Sequence, residues 1–308
     1  MEAATPLLPA LPLDAWEATK TTLHLYLQIV GKIQLALNPK RNHWWHITLL
    51  VSPKGISSQP IPFAEGHMLE IHFNFRRHRV ELCASTGHYD EIPLQHGLSV
   101  ARFYALLFDK LEQMGVEAPI VAKPFDVPGI TAPFSHLEEH FTYQPLWVER
   151  FWQILRWTDG VFKEFCGGFS GKTCPVHLYW HHLDLTVTRF SGRSAPPMPA
   201  EARQSDKEAY SHEMISFGFW AGDEQVRGAA FYSYTYPSPK GLEQCPLEPH
   251  RAEWVISNGS PMALLMYDDL RAEADPRAAL LAFLQSCYQA GAKLAGWEEA
   301  KVEMAGTP

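Results

Sequence analysis

Residues 42–51 read NHWWHITLLV, and residues 178–187 read LYWHHLDLTV. Both stretches contain a Trp-His pair, beginning at Trp45 and Trp180, followed by the β-branched and aliphatic residues that favour strands. Each stretch follows a long apolar helical pattern and precedes further alternating segments. We therefore predict that the chain repeats one helix–antiparallel strands–helix unit, and that its fold class is α+β.

The predicted units span residues 14–116 and 146–298, and a Pro-rich linker, residues 117–145, joins them. The linker contains five prolines and little periodicity. Because each predicted helix is too apolar to leave half its surface in water, we expect the units to share a core and form one pseudo-symmetric globule. A pocket is then expected at the seam between the two repeats.

Individual elements follow from periodicity and capping residues. Alternation is clearest in residues 68–75, where Leu69, Ile71 and Phe73 share one face, and Ser99 is a typical helix N-cap. The main predicted elements are helices at 14–37, 99–114 and 145–166 and strands at 43–51, 68–75 and 176–190.

Composition limits the classes of function. The formal net charge is −8, from 26 basic and 34 acidic residues, which argues against a nucleic-acid partner. Five widely spaced cysteines without a C-x-x-C motif indicate a reducing compartment. No apolar run is long enough to span a membrane, and no signal peptide is recognisable. We expect a cytoplasmic protein that does not bind membranes.

Two apparent motifs do not carry chemistry. CGGFSGKT at residues 166–173 ends like a phosphate-binding loop, but a helix precedes it and a strand follows, which is the reverse of the required order. His43 and His46 are three residues apart, and on a strand such side chains point to opposite faces, so we expect no shared metal. The sequence indicates neither a metal site nor a particular cofactor.

Glu213 is the sharpest departure from the apolar pattern. It shares its predicted strand face with Ile215 and Phe217, next to His212. If that face is buried, desolvation raises the pKa of the carboxyl and suits it to proton transfer. The alternative is that Glu213 lies at the strand end and pairs with water or an arginine.

Asp184 is the second departure. It shares a predicted face with His182, Thr186 and Thr188, and this face lines either a polar cavity or solvent.

Arg189 and Arg193 flank a Ser-Gly turn and are either a clamp for a carboxylate or phosphate or two surface cations.

The first helix has one polar stripe, formed by His24, Gln28 and Lys32 at i, i+4 spacing. It combines a switchable base, an amide and a cation without any acid, which suits a polar ligand, although a solvated face is the alternative. Asn42 and His43 follow the helix closely and are expected near this stripe.

Five blocks of sequence resemble those of a bacterial family catalogued only as a domain of unknown function. The blocks are LHLYLQIVGK (23–32), NHWWH (42–46), VTRFSGR (187–193), YSHE (210–213) and GFW (218–220). The resemblance extends from about residue 16 to 297 and implies no activity. It implies that the motif residues include His24, Gln28, Lys32, Asn42, His43, Arg189, Arg193, His212 and Glu213.

The sequence supports three hypotheses. The first is an enzyme that acts on a small polar or anionic metabolite, with Glu213, His212 and Asp184 in acid–base roles and the stripe, Asn42, His43 and the two arginines as ligand-binding residues. A metal-assisted hydrolase using His43, His212, Glu213 or Asp184 is one form of it. The second is a non-catalytic small-molecule-binding protein, and the third is a partner-binding module with Pro-rich docking loops.

Overall fold

The computed structural model describes residues 7–64 and 66–297. Within these ranges the chain forms helices and two antiparallel sheets, which confirms the α+β class. Repetition of one unit remains a prediction. The chain divides into two compact units. The first comprises residues 7–41, 46–64, 66–156 and 178–183, and the second comprises residues 42–45, 157–177 and 184–297.

The helices and strands have the following bounds. The helices are α1 (Leu13–Leu37), α2 (Val100–Gln113), α3 (Pro145–Gly167), α4 (Gln204–Ala209), α5 (Tyr267–Arg271) and α6 (Pro276–Leu294). The strands are β1 (Leu50–Ser52), β2 (Gly55–Ser57), β3 (Ile61–Phe63), β4 (His67–Asn74), β5 (Arg79–Ala84), β6 (Tyr89–Pro93), β7 (His177–Tyr179), β8 (Asp184–Ser194), β9 (His212–Trp220), β10 (Ala230–Tyr236), β11 (Glu253–Ser257) and β12 (Ser260–Met266).

Helix α1 is buried around most of its circumference, as its apolar composition predicts. Tyr26 packs its ring 4.3 Å from that of Phe103 on α2 and donates a hydrogen bond to the Leu98 carbonyl. Ser99 caps α2 by accepting a hydrogen bond from the Arg102 amide, as predicted. Although α1 has 25 residues, no helix in the described ranges is long and apolar enough to cross a membrane.

The first sheet has the strand order β1-β2-β4-β5-β6, with β3 also paired to β4. The predicted alternation of β4 is confirmed, because Leu69, Ile71 and Phe73 are all in the core. The opposite face carries polar residues that are also buried: His72 is 6% exposed and Asn74 is 4% exposed. This sheet therefore has one apolar face and one face of buried polar groups.

The predicted strand at 43–51 is wrong at its start. Asn42–Ile47 form a 3-10 segment, and β1 begins only at Leu50. His43 and Trp44 have left-handed backbone angles, with φ of 53° and 62°. Strand propensity depends strongly on context, and here the tertiary contacts of the His43 ring override it. The two left-handed residues turn the chain where a strand would have continued straight.

Residues 117–145 belong to the first unit by their contacts. Phe134, Leu137 and Tyr143 are buried in its core. The Val100 amide donates to the His140 carbonyl, and the Ala101 amide donates to the Leu137 carbonyl. This segment therefore packs against the start of α2.

The second sheet has the strand order β11-β12-β10-β9-β8-β7. One face of its central strands packs on α3, as in the 4.9 Å contact between the rings of Phe165 and Phe217. The continuous strand predicted over 176–190 is broken by a turn at residues 180–183, where Leu183 has a φ of 59°. His182 therefore does not share a strand face with Asp184, as the sequence had suggested.

Gly31 gives a test of close packing within the first unit. A Cβ atom at Gly31 would lie 2.1 Å from Cγ of Trp180, a side chain that is 3% exposed. We expect Gly31→Ala to lower the free energy of unfolding by about 1–3 kcal/mol, because the ring must move in a packed core. The matched control is Gly160→Ala in α3, where a Cβ meets nothing within 4 Å and alanine should stabilise the helix by about 0.5–1 kcal/mol. Denaturant unfolding followed by circular dichroism measures both, and equal effects would contradict the packing argument.

Candidate functional site

The polar stripe of α1 is held by backbone groups of the first unit. The side-chain amide of Gln28 donates to the Phe125 carbonyl at 2.9 Å and accepts from the Phe125 amide at 2.8 Å. Nε2 of His24 lies 2.9 Å from the Trp180 carbonyl oxygen and 3.1 Å from that of His181. These two side chains therefore fix chain segments distant in sequence, and ligand binding by them remains a prediction.

Lys32 continues the stripe and is buried, at 7% exposure. Its Nζ lies 5.6 Å from the ring centroid of Trp180, a cation–π contact. Burial lowers the pKa of Lys32, and the positive charge of Lys123 lowers it further. Asn42, predicted near the stripe, is an exposed residue that belongs to the second unit.

The second unit brings together two of the predicted residues, His43 and His212, with ring centroids 5.4 Å apart. Lys172 joins them, because its Nζ lies 2.7 Å from Nε2 of His43. The rings of Phe190 and Trp45 complete the group, at 4.8 Å and 5.5 Å from Nζ. We call these five residues the Lys172 cluster.

The hydrogen bonds of His43 define its protonation state. Its Nδ1 lies 3.0 Å from the Ala209 carbonyl oxygen, which can only accept, so Nδ1 carries the proton and donates. Nε2 then has a lone pair and accepts from the ammonium of Lys172. Burial lowers the pKa of His43, and the charges of Lys172 and His212 lower it further. His43 is therefore a neutral imidazole with its basic nitrogen directed at a cation.

The strained backbone at His43 accompanies the contact between its ring and Lys172. Two consecutive left-handed residues other than glycine cost about 1–2 kcal/mol each. His43 is only 4% exposed, and both ring nitrogens are hydrogen-bonded. The strain is offset by these contacts, and strain of this kind concentrates at functional sites.

Lys172 was not among the predicted site residues. It lies in the loop after α3, where its carbonyl accepts a hydrogen bond from the Phe190 amide. Partial burial of its amine lowers the pKa of Lys172. One signal in the sequence marks it: Lys172 is the only Lys, Arg, Asp or Glu between Glu164 and Asp184. A single charged residue in an apolar and aromatic stretch indicates a specific role for its charge. Lys172 also belongs to the CGGFSGKT stretch, and the resemblance of that stretch to a phosphate-binding loop hides the signal.

Glu213 is an ion-paired carboxylate, which corresponds to the alternative left open by its sequence pattern. Its Oε2 accepts hydrogen bonds from Nε and Nη2 of Arg193, at 2.7 and 2.6 Å, and from the Ser191 hydroxyl at 3.0 Å. Arg193 also donates to the carbonyls of Ala295 and Gly296, just after the end of α6. The pair holds the C-terminal end of that helix.

Arg189 does not converge with Arg193. Arg189 is 2% exposed, and its guanidinium lies 3.5 Å from the ring centroid of Phe165 and donates to the Phe165 carbonyl in the last turn of α3. Arg193 is half exposed and is occupied by Glu213. The two arginines therefore do not form the predicted clamp around one anion in this structure.

Asp184 lies on the polar face of the second sheet and accepts a hydrogen bond from the Tyr232 hydroxyl, at 2.6 Å. The two residues are on strands separated by β9, where Gly218 lies opposite Tyr232. The Tyr232 ring lies across this glycine, because a Cβ there would be 2.3 Å from it. Burial and the charge of Asp184 raise the pKa of Tyr232 well above its ordinary value, so its hydroxyl keeps the proton.

The metal-assisted form of the first hypothesis requires several ligands around one ion. Among residues 7–64 and 66–297, no group of three His, Cys, Asp or Glu side chains is placed to hold a metal ion.

Comparisons with known proteins identify a family but no activity. The model of a family of unknown function (DUF5996) matches residues 8–304. No curated protein and no solved structure matches the chain.

The hydrogen bond between Tyr232 and Asp184 gives a stability test. We expect Tyr232→Phe to lower the free energy of unfolding by about 1–3 kcal/mol, because it leaves a partly buried carboxylate oxygen without its donor. Tyr236→Phe on the same strand is the control, since its hydroxyl makes no hydrogen bond within the described part of the chain. The control should change stability by no more than about 0.5 kcal/mol in denaturant unfolding. A Tyr232→Phe variant as stable as the control would show that the bond contributes nothing.

The buried histidines predict acid sensitivity. Burial lowers the pKa of His24 from 6.5 to about 4, so between these pH values the unfolded chain binds a proton that the folded chain does not. Stability should therefore fall as pH decreases from 6.5 towards 4, by at most about 1.4 kcal/mol per pH unit for this group. His24→Gln keeps a donor for the two carbonyls and should reduce that slope, whereas His96→Gln, at an exposed position, should not. Urea unfolding at pH 4.5, 5.5 and 6.5 measures the slopes, and an unchanged slope in His24→Gln would refute this assignment.

Proposed function

The chain belongs to the DUF5996 family, and we propose that it is an enzyme acting on a small anionic metabolite at the Lys172 cluster. In this proposal Lys172 binds the anionic group, and His43 transfers a proton. The observation that supports it is the 2.7 Å contact between Nζ of Lys172 and Nε2 of His43. His212, predicted as catalytic, lies beside them as a second imidazole.

The electrostatics of Lys172 favour an anionic ligand. Its ammonium contacts a neutral imidazole and two aromatic faces, and no carboxylate of the described residues pairs with it. A partly desolvated cation of this kind is stabilised when a carboxylate or phosphate oxygen supplies the missing negative charge. Lys172 is also an exposed residue, so a ligand can reach it.

Proton transfer by His43 follows from its tautomer. The lowered pKa keeps the imidazole neutral at neutral pH, and the Ala209 carbonyl fixes its basic nitrogen as Nε2. A base that is neutral and oriented can accept a proton from a ligand bound at Lys172. The amine of Lys172, with its own lowered pKa, can exchange a proton with the same nitrogen.

The proposal also includes the size of the ligand and the compartment of the protein. A net charge of −8 disfavours large polyanions, so the ligand is small. All five cysteines are free, which is consistent with a reducing cytoplasm.

The alternative function, a non-catalytic binding protein, uses the same cluster and predicts stabilisation by the ligand without turnover.

The first test is anion binding. Thermal shift and calorimetry with inorganic phosphate, a dicarboxylate and a sugar phosphate identify an anion that stabilises the wild-type protein. Lys172→Gln should weaken its binding by about 10–100-fold, because a hydrogen bond to a charged group contributes about 1.5–3 kcal/mol. Lys293→Gln, an exposed lysine on α6, is the matched control and should bind normally. Equal binding by all three proteins would overturn the assignment of Lys172.

The second test separates an enzyme from a binding protein. The anion that binds best identifies the chemical class of compounds to be screened for turnover by mass spectrometry. His43→Gln keeps a donor for the Ala209 carbonyl but loses the basic nitrogen, so an enzyme should lose turnover by about 100-fold or more while binding changes little. Binding without turnover in the wild-type protein would favour the non-catalytic alternative.

A further inference from the structure

A second arrangement of reactive groups lies in the first unit, apart from the Lys172 cluster. Oγ of Ser52, at the end of β1, is 2.7 Å from Nε2 of His72 on β4. Nδ1 of the same imidazole is 3.0 Å from Oε1 of Glu70. Glu70 and His72 are two residues apart on one strand and so lie on the same sheet face. The three side chains form a continuous serine–imidazole–carboxylate chain.

The hydrogen bonds determine the direction of each proton in this chain. Oγ of Ser52 accepts from the backbone amides of Lys54 and Gly55, at 3.3 and 3.1 Å. The hydroxyl proton therefore goes to Nε2 of His72. Nδ1 of His72 carries the ring proton and donates it to the carboxylate of Glu70, which can only accept. This is the tautomer in which a histidine removes a proton from a serine.

The surroundings hold the imidazole in place. The His72 side chain is 7% exposed, and the Glu70 side chain is 46% exposed. Burial lowers the pKa of His72, and the hydrogen bond that the ring donates to Glu70 opposes that shift, so the ring is neutral and able to act as a base. The other charged groups facing it are Lys54 and Glu81, which pair with each other at 2.7 Å.

We propose that Ser52 is a nucleophile, activated by His72 as general base and positioned through Glu70, for acyl transfer from small carboxylic esters. Oγ forms a bond to the carbonyl carbon while its proton passes to Nε2 of His72. The carbon–oxygen bond to the leaving alcohol then breaks, and the alcohol takes that proton. Water hydrolyses the acyl-serine by the same route in reverse, which releases the acid and restores the hydroxyl.

Two features of the serine support this role. The amides of Lys54 and Gly55 donate to Oγ, so they fix its position and leave its proton directed at Nε2 of His72. The indole of Trp152 donates to the Ser52 carbonyl at 3.1 Å and fixes the backbone of the residue. The nucleophile is therefore held in place before a substrate arrives, which is the condition for efficient attack.

The primary experiment uses the full-length wild-type protein, so it does not depend on the folding of any variant. The protein is incubated with a fluorophosphonate probe, and the modified residue is identified by peptide mass spectrometry. We expect one phosphonylated residue, Ser52. No labelling under conditions that label a reference serine hydrolase, or labelling only elsewhere, would overturn the proposal.

The second experiment measures hydrolysis of p-nitrophenyl acetate. Ser52→Ala and His72→Gln should lower the rate by about 1,000-fold or more if the groups act as a unit. Ser85→Ala, at an exposed serine in the turn between β5 and β6, is the matched control and should keep the wild-type rate. Full hydrolysis by a folded Ser52→Ala variant would refute the role of Ser52, and circular dichroism establishes that each variant is folded.

The role of Glu70 is tested by a kinetic measurement that would not change if Glu70 only stabilised the fold. Glu70→Gln removes the negative charge that stabilises the imidazolium during reaction. As a positioning residue it should lower kcat about tenfold or more and leave KM unchanged, with the fraction of folded protein constant. A wild-type kcat in this variant would show that Glu70 does not act through His72 on Ser52.

Discussion

A polar side chain that is buried needs a hydrogen-bonding partner, and this constraint fixes many long-range contacts in this protein. The side-chain amide of Gln28 makes two hydrogen bonds with the backbone of Phe125, 97 residues away. The guanidinium of Arg189 donates to the Phe165 carbonyl of α3, and Tyr232 reaches Asp184 across Gly218. In each pair, a broken bond would leave a desolvated polar group, so the partner fixes how the segments pack.

The same constraint distinguishes structural groups from candidate functional groups. Oε2 of Glu213 and all three guanidinium nitrogens of Arg193 have partners, and the pair holds the end of α6. Lys172 is different, because within residues 7–64 and 66–297 its ammonium contacts a neutral imidazole and aromatic rings but no carboxylate. Ser52 differs in another way, since its hydroxyl proton is directed at a base. We expect reactivity where a charge or a proton is available for transfer or binding rather than neutralised by a partner.

Much of the local structure could be predicted from the sequence. The alternation of β4 identified its core residues, and Ser99 marked the start of α2, because both signals depend on neighbouring residues. The strand predicted from His43 was wrong, because the left-handed turn there depends on contacts with distant residues. The sequence pattern marks Glu213 as unusual, but its partner Arg193 lies on the adjacent strand, and no local pattern links the two residues.

The sequence by itself determined the α+β class and the positions of the long helices, and it predicted His43 and His212 as site residues. Periodicity and capping act over a few residues, so they are encoded locally. Only the tertiary structure decided which polar groups meet: Lys172 with His43, and Ser52 with His72 and Glu70. Pairing across 129 residues, as between Lys172 and His43, depends on how the chain folds back, and no spacing in a single sequence encodes it.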